Sequence, residues 1–125
     1  MTKVLIVEDD VFVGRTFERI FSLNKYEVVL VGTGKEGLEQ VRTARPDLIM
    51  LDILLPDIDG IEVLRRLKRD VATSKIPVVI VTNSAEEKQV KQARSLGAVD
   101  YLLKAEYTPD QLVEKIKRCL QTGKS

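Results

Sequence analysis

The sequence contains no histidine and only one cysteine, Cys119, among its 125 residues. The absence of histidine excludes His-ligated metals, Ser-His and Cys-His catalysis, and a phosphohistidine carried by this chain. A single cysteine excludes an internal disulfide bridge. The sequence also lacks an apolar run near the roughly 20 residues of a membrane span, and its first residues lack the pattern of a leader peptide. We therefore expect a cytoplasmic protein that contacts no membrane.

The composition predicts one globular domain, because a length of 125 residues leaves no room for a second. Hydrophobic residues make up 44% and charged residues 31% of the chain, which argues against disorder. A formal net charge of +1 gives no indication of a basic surface that would bind nucleic acid. We expect the domain to occupy residues 1–121, followed by a frayed tail over 122–125.

Five short apolar segments predict β-strands. They do not alternate between apolar and polar residues, which indicates burial on both faces, as in a parallel sheet covered by helices on each side. Segments with helical periodicity separate them. The pattern predicts an α/β fold in which five strands alternate with five helices in an open sheet. The predicted strands are 4–7, 27–31, 48–51, 78–81 and 101–103.

Several helix ends carry local signals. The segments 84–87 and 108–111 each fit a capping box, in which two side chains satisfy backbone N–H groups at the start of a helix. Pro109 fits the first helical position. Asp10 is expected to cap the first helix, and Gly97 to end the fourth.

Polar residues directly follow four of the five apolar segments. In an open α/β sheet, ligands bind at the carboxyl ends of the strands, so these residues are expected to meet at one edge. Taken singly, each has a plain structural explanation, such as a helix cap for Asp10. Their occurrence at successive strand ends favours a functional site. The residues are Glu8, Asp9 and Asp10 after the first segment, Asp52 after the third, Thr82 after the fourth and Lys104 after the fifth.

This set of side chains suits phosphoryl chemistry. Clustered carboxylates repel one another by about 1–4 kcal/mol per pair at 4 Å, and Mg²⁺ is the natural ion to offset that repulsion. Lys104 and Thr82 add a positive charge and a hydroxyl donor for phosphoryl oxygens. Asp52 is the best-placed nucleophile, since it ends an apolar central strand before a loop that contains Pro56 and Gly60.

The sequence resembles the receiver domain of two-component response regulators, of the chemotaxis type, over essentially its whole length. The resemblance implies a flavodoxin-like fold for residues 1–121, a doubly wound five-stranded parallel sheet, (βα)5, with strand order 2-1-3-4-5. The residues that carry it are Glu8-Asp9, Leu51-Asp-Ile-Leu-Leu-Pro-Asp-Ile-Asp-Gly60, Val81-Thr-Asn83 and Tyr101-Leu-Leu-Lys104.

The resemblance implies a role for each matching residue. Asp52 would be the phosphoacceptor. Glu8 and Asp9 would be the acidic pair that holds Mg²⁺, with Asp9, Asp52 and the backbone carbonyl of Leu54 as direct ligands.

The remaining matches imply a switch. Thr82 and Lys104 would bind the phosphoryl oxygens, and Tyr101 would be an aromatic residue whose rotamer follows Thr82. Helix four, strand five and helix five would form the output face.

The implied function is a signalling switch rather than a stand-alone enzyme. It would accept a phosphoryl group from a partner's phosphohistidine, carried by a sensor histidine kinase or a histidine phosphotransfer protein, and hydrolyse it slowly. The output would pass to an effector protein or to a domain outside this chain, without nucleic acid binding by the chain itself.

Two residues depart from the family pattern. Ala105 follows Lys104 where the family usually has proline, often after a cis peptide. A non-proline cis bond costs about 2.5–4 kcal/mol, so the loop is expected to be trans or strained. Asn83 stands where a small residue is usual, and its side chain could narrow access to Asp52.

Two alternatives stay open. One is a degenerate receiver that acts only as a protein-binding module. The other is a small aspartate-nucleophile phosphatase of the haloacid dehalogenase type, although Glu8 occupies the position that its nucleophile would need. A flavin carrier does not fit the acidic first loop, and a nucleotide hydrolase lacks its glycine-rich loop.

Overall fold

The computed structural model describes residues 1–122. The strands are β1 (Lys3–Val7), β2 (Glu27–Val31), β3 (Leu48–Leu51), β4 (Val78–Thr82) and β5 (Asp100–Leu103). The helices are α1 (Val11–Leu23), α2 (Gly34–Ala44), α3 (Gly60–Arg69), α4 (Glu87–Ser95) and α5 (Pro109–Thr122), with a 3-10 turn at Lys104–Glu106. Of the tail predicted over 122–125, residue 122 ends α5 and the others lie outside the described residues.

The five strands form one parallel sheet in the order β2-β1-β3-β4-β5. This confirms the predicted fold class and strand order, and each observed strand lies within one residue of its predicted bounds. The chain runs from β1 outward to β2 and then returns across β1 to β3. The direction of winding therefore reverses between β1 and β3, and a crevice opens at their carboxyl ends.

Two apolar layers hold the helices on the sheet. On one face, Val41 of α2 and Leu64 of α3 pack against β1, β3 and β4, together with Ala93 of α4. On the other, Phe17 of α1 and Ile116 of α5 pack against the alternate residues of the same strands. Full burial of one such large side chain contributes about 1.5–3 kcal/mol. The central strands are buried on both sides, as their unbroken apolar runs predict.

Three of the predicted helix ends are confirmed. The Asp10 carboxylate accepts the N–H of Val13 at 3.1 Å and caps α1. At α5, the N–H of Gln111 donates to the Thr108 hydroxyl at 3.2 Å, while the N–H of Thr108 donates to Gln111 Oε1 at 2.9 Å. Gly97, with φ of 95°, follows the end of α4 in the left-handed region that glycine favours.

The capping box predicted over 84–87 is wrong. Helix α4 begins at Glu87, and its N-cap residue Glu86 makes no side-chain capping bond with any described residue. The reason lies in the tertiary contacts of Ser84. Its N–H donates to Thr82 and its carbonyl accepts from Tyr101, which holds the Ser84 backbone in the loop and delays the start of the helix.

The length and polarity of the helices bear on the predicted lack of a membrane span. Within residues 1–122, each helix is too short or too polar to cross a membrane.

Candidate functional site

The predicted site residues meet at the crevice between β1 and β3. Glu8 and Asp9 follow β1, Asp52 follows β3, Thr82 ends β4 and Lys104 follows β5. Because all four strands are parallel and paired in register, their carboxyl ends lie at one edge of the sheet. The backbone therefore brings together residues that are up to 96 positions apart.

Lys104 links two of the carboxylates. Its ammonium group donates to Asp52 Oδ2 at 2.8 Å and also to Glu8 Oε1. The side chains of Glu8 and Asp52 are 2% and 6% exposed, so this pair of ionic contacts is shielded from water. Shielding from water strengthens the attraction between Lys104 and the two carboxylates. It also raises the free-energy cost of leaving any of these charges unpaired. Lys104 is thus held in the crevice by both carboxylates.

Each oxygen of Asp52 has a partner. Oδ1 accepts the backbone N–H of Leu54 at 3.1 Å, and Oδ2 accepts from Lys104. The two bonds fix the plane of the carboxylate at the end of β3. A carboxylate fixed in this way needs little reorganisation to react.

The crevice favours positive charge. Burial raises the pKa of Glu8 above its ordinary value, although Lys104 and the N–H of Asp10 both oppose that effect. Burial alone would lower the pKa of Lys104, but its hydrogen bonds to Asp52 and Glu8 outweigh burial and raise it. The pKa of Glu8 is therefore raised chiefly by burial, whereas that of Lys104 is raised by the two carboxylates that accept its hydrogen bonds.

Three carboxylates are arranged so that they could share a metal ion. Glu8, Asp9 and Asp52 each offer one oxygen, and the three oxygens lie within 4.8 Å of one another. Asp9 is exposed, whereas Glu8 and Asp52 are buried. Oxygen ligands from one or two carboxylates, with water completing the shell, are what Mg²⁺ prefers. The donor set therefore fits this ion, and the carbonyl of Leu54 as a further ligand stays a prediction.

Thr82 and Tyr101 both contact Ser84. Thr82 is fully buried, and its hydroxyl accepts the N–H of Ser84 at 3.3 Å. Tyr101 is half-buried, and its hydroxyl donates to the carbonyl of Ser84 at 2.6 Å. Burial raises the pKa of the Tyr101 phenol. The sequence pattern predicted a site role for Thr82 and for Tyr101 but none for the serine that both of them contact.

The two departures from the family pattern leave the crevice intact. Every described peptide bond is trans, including that between Lys104 and Ala105, which agrees with one of the two expectations. Lys104 keeps its place without a cis bond because two carboxylates hold it. Asn83 is exposed and lines a groove beside the crevice, and its predicted effect on access to Asp52 stays a prediction.

That groove is apolar and opens to solvent. It has a volume of about 290 Å³ and runs between α1, the 3-10 turn and the start of α5. Phe12, at its rim, is 82% exposed. Lys104 lines the groove and also binds Asp52 and Glu8, so the groove lies beside the crevice. The residues that line it include Phe12, Val13, Asn83, Lys104, Ala105 and Tyr107.

Two loop residues shape the site although the sequence analysis gave them no such role. A Cβ atom on Gly60 would overlap the carbonyl oxygen of Asp52, so only glycine allows the loop after β3 to close there. Asp57 accepts the N–H groups of Gly34 and Lys35, each at 2.9 Å, and so joins the same loop to the start of α2. The hydrogen bond from Lys35, with that from Gly34, holds the pKa of Asp57 below its ordinary value.

Comparison with known proteins agrees with this geometry. The family model for the response regulator receiver domain matches residues 4–117. The transcriptional regulatory protein AfsQ1 of Streptomyces coelicolor is 36% identical over 104 residues, which cover 83% of this chain and 45% of that protein. The DNA-binding response regulator MtrA of Mycobacterium tuberculosis is 31% identical over 119 residues, 95% of this chain and 50% of that protein. The chain spans about half the length of the curated relatives it matches.

Solved structures of similar proteins have the same fold. A CheY-like receiver domain protein from Methanospirillum hungatei has a TM-score of 0.92 and 29% identity, covering 99% of this chain and 97% of that one. The BeF3-activated receiver domain of RstA from Klebsiella pneumoniae has a TM-score of 0.85 and 29% identity, covering 95% and 98%. The Mn(2+)-bound form of response regulator Rcp1 has a TM-score of 0.84 and 27% identity, covering 94% and 92%.

Proposed function

The chain belongs to the response regulator receiver domain family, and from this premise we propose that it is a phosphorylation-dependent switch whose phosphoacceptor is Asp52. Receiver domains are signalling domains that act with sensor kinases in two-component systems. The observation that carries the assignment of Asp52 is its carboxylate at the end of β3, fixed by Leu54 and Lys104 beside two further carboxylates.

The proposed reaction is an exchange of one bond to phosphorus for another. An oxygen of Asp52 forms a P–O bond while the P–N bond to the donor's imidazole breaks. The products are an acyl phosphate on Asp52 and the unmodified histidine side chain of the donor. Lys104 and the Thr82 hydroxyl bind the phosphoryl oxygens and stabilise the charge that spreads over them. Slow hydrolysis, in which water displaces the phosphoryl group from Asp52, releases inorganic phosphate and restores the carboxylate.

A divalent cation completes the proposed site. Receiver domains typically bind Mg²⁺ at an acidic pocket, and the cluster of Glu8, Asp9 and Asp52 supports such a site here. Asp9, Asp52 and the backbone carbonyl of Leu54 would be its direct ligands. When bound, the ion would neutralise charge between the carboxylates and the phosphoryl oxygens.

The phosphoryl donor must be another protein or a small molecule, because this chain has no histidine. We propose a cytoplasmic sensor histidine kinase or a histidine phosphotransfer protein, docked in the apolar groove beside Lys104. Two observations support that docking site: Lys104 lines both the groove and the crevice, and Phe12, which also lines the groove, presents a large apolar surface to solvent. An exposed apolar side chain that a partner can bury fits an interface with a protein donor.

The proposed output is a change in the surface formed by α4, β5 and α5. Thr82 would move toward the phosphoryl group, and Tyr101 would follow. The names of AfsQ1 and MtrA describe a transcriptional regulator and a DNA-binding response regulator. By analogy, the signal would pass to an effector protein or to a domain outside this chain. This chain itself would bind no nucleic acid.

Labelling with a small phosphodonor tests the assignment. With Mg²⁺ and acetyl phosphate, intact-mass measurement should show the addition of one base-labile phosphoryl group. Asp52→Asn should abolish it, whereas Asp10→Asn, which removes a neighbouring carboxylate but keeps a good helix cap, should not. Unchanged labelling of Asp52→Asn would show that the phosphoacceptor is a different residue. A parent chain that takes up no phosphoryl group would favour the protein-binding alternative.

A further inference from the structure

We infer that the hydroxyl of Ser84 couples helix α4 to the phosphoacceptor crevice, an inference that rests on the proposed function. Ser84 lies in the loop between β4 and α4, where its three polar groups contact three different elements. Its N–H donates to Thr82 at the end of β4, and its carbonyl accepts from Tyr101 of β5. Its hydroxyl forms a hydrogen bond with the side-chain amide oxygen of Gln89, in the first turn of α4.

Ser84 makes two kinds of connection, one through its backbone and one through its side chain. The contacts with Thr82 and Tyr101 use the backbone N–H and carbonyl of Ser84, so any residue other than proline can make them at this position. The contact with Gln89 uses the hydroxyl, so it depends on serine. Removing the hydroxyl therefore disconnects α4 while the link between Thr82 and Tyr101 remains.

Helix α4 depends on such a contact because little else positions its first turn. Of its residues only Ala93 is buried, whereas α3 buries five. Among the described residues, its N-cap Glu86 provides no side-chain bond to the helix. A helix with so small a buried face can shift without disrupting the core. The hydrogen bond from Ser84 to Gln89 is thus a specific attachment of this turn to the loop after β4.

The chemistry of Thr82 explains how the loop would respond. A threonine hydroxyl has one donor hydrogen and two acceptor lone pairs. In the structure, one lone pair accepts from Ser84. When the Thr82 side chain moves to donate to a phosphoryl oxygen on Asp52, its oxygen moves with it, and the N–H of Ser84 must follow or lose its acceptor. Movement of Ser84 then shifts Gln89, through the hydrogen bond between their side chains, and with it the first turn of α4.

Backbone amide NMR of the parent chain and of Ser84→Ala tests this coupling. Beryllofluoride with Mg²⁺ serves as the phosphoryl probe, and acetyl phosphate labelling is measured in parallel. In Ser84→Ala, we expect labelling at the parent level and retained shifts at Thr82 and Tyr101. The probe-induced shifts over residues 87–95 should fall by about half or more, because the side-chain connection is gone.

Two further variants make the result specific. Gln89→Ala should reproduce the loss over 87–95, and the double variant should be no worse than either single one, as expected for two partners in one bond. Lys88→Ala, an exposed neighbour on the same turn, should leave the shifts unchanged.

The possible failures are distinguishable. Parent-level shifts in α4 of Ser84→Ala, or additive losses in the double variant, would overturn the coupling while leaving the phosphoacceptor assignment intact. A parent chain that neither takes up phosphate nor responds to beryllofluoride would overturn the proposed function, and the coupling with it.

Discussion

The backbone of Gly60 packs directly on the backbone of Asp52. A Cβ atom on Gly60 would overlap the Asp52 carbonyl oxygen and lie 2.5 Å from the Cα of Ile53, while the N–H of Gly60 donates to the Ile53 carbonyl at 2.9 Å. The loop after β3 is closed by these contacts at the point where α3 begins. The position of Asp52, the proposed phosphoacceptor, therefore depends on a residue without a side chain.

Gly60→Ala should destabilise the protein by about 1–3 kcal/mol, because the added methyl group must displace backbone rather than a flexible side chain. It should also slow labelling by acetyl phosphate. Urea unfolding measures the first effect and intact mass the second. Gly32→Ala is the matched control, since the nearest atom to its Cβ would be 3.9 Å away. Equal stability of the two variants would contradict the proposed constraint.

Asp9→Ala should weaken Mg²⁺ binding by at least tenfold while leaving the fold intact, since Asp9 is an exposed member of the carboxylate cluster. Without Mg²⁺, the variant should be as stable as the parent or slightly more so. The relieved repulsion is at most about 1 kcal/mol for a carboxylate in contact with water. The Mg²⁺-dependent rise in melting temperature measures the affinity. Asp10→Asn should keep the parent's response, and a normal response of Asp9→Ala would exclude the three-carboxylate site.

If phosphorylation changes the surface formed by α4, β5 and α5, beryllofluoride should shift amide resonances beyond the crevice, within residues 82–121. Thr82→Ala should reduce these shifts severalfold, because it removes the hydroxyl that would bind the phosphoryl oxygen. Thr43→Ala, which changes an exposed threonine of α2, should not. Shifts confined to the neighbours of Asp52 would mean that this surface does not carry the signal.

Phe12→Ala should lower kcat/KM for phosphotransfer from a phosphohistidine-bearing protein by at least about fivefold, the loss of one well-packed apolar anchor of more than about 1 kcal/mol. Labelling by acetyl phosphate should not change, because a small donor does not use the groove. Leu23→Ala is a suitable control, as Leu23 is 73% exposed at the other end of α1. If both donors lose activity equally, Phe12 acts on the crevice itself and not on docking.

Asp57→Asn should destabilise the protein at pH 7 and make progressively less difference in acid. Backbone hydrogen bonds, first that from Lys35, lower the pKa of Asp57 below 3.8 in the folded state. A lowered folded-state pKa gives stability that is present above pH 3.8 and lost as the pH falls through the folded-state pKa. Thermal unfolding of both proteins from pH 7 to pH 2 measures this difference. A difference that grows toward acid pH would have the wrong sign.

The strands, most helix ends and the members of the carboxylate crevice could be predicted from the amino-acid sequence alone. These features depend on local patterns. An unbroken apolar run predicts a strand buried on both faces, and a capping box such as that of Thr108 and Gln111 is formed by residues three positions apart. Polar residues at strand ends must meet once the strands are parallel, so Asp52 and Lys104 could be placed together without coordinates.

Other features depend on partners that are distant in the chain, and these could be found only in the folded structure. Ser84 looked like a helix cap, but bonds with Tyr101 and Thr82 hold it outside α4. Lys104 keeps its place before Ala105 because carboxylates 52 and 96 residues away bind it. The closeness of Gly60 to Asp52 also follows from the path of the loop. A local pattern shows which groups a residue can bond, but only the folded chain brings the competing partners within reach, and the contact that satisfies more buried polar groups then prevails.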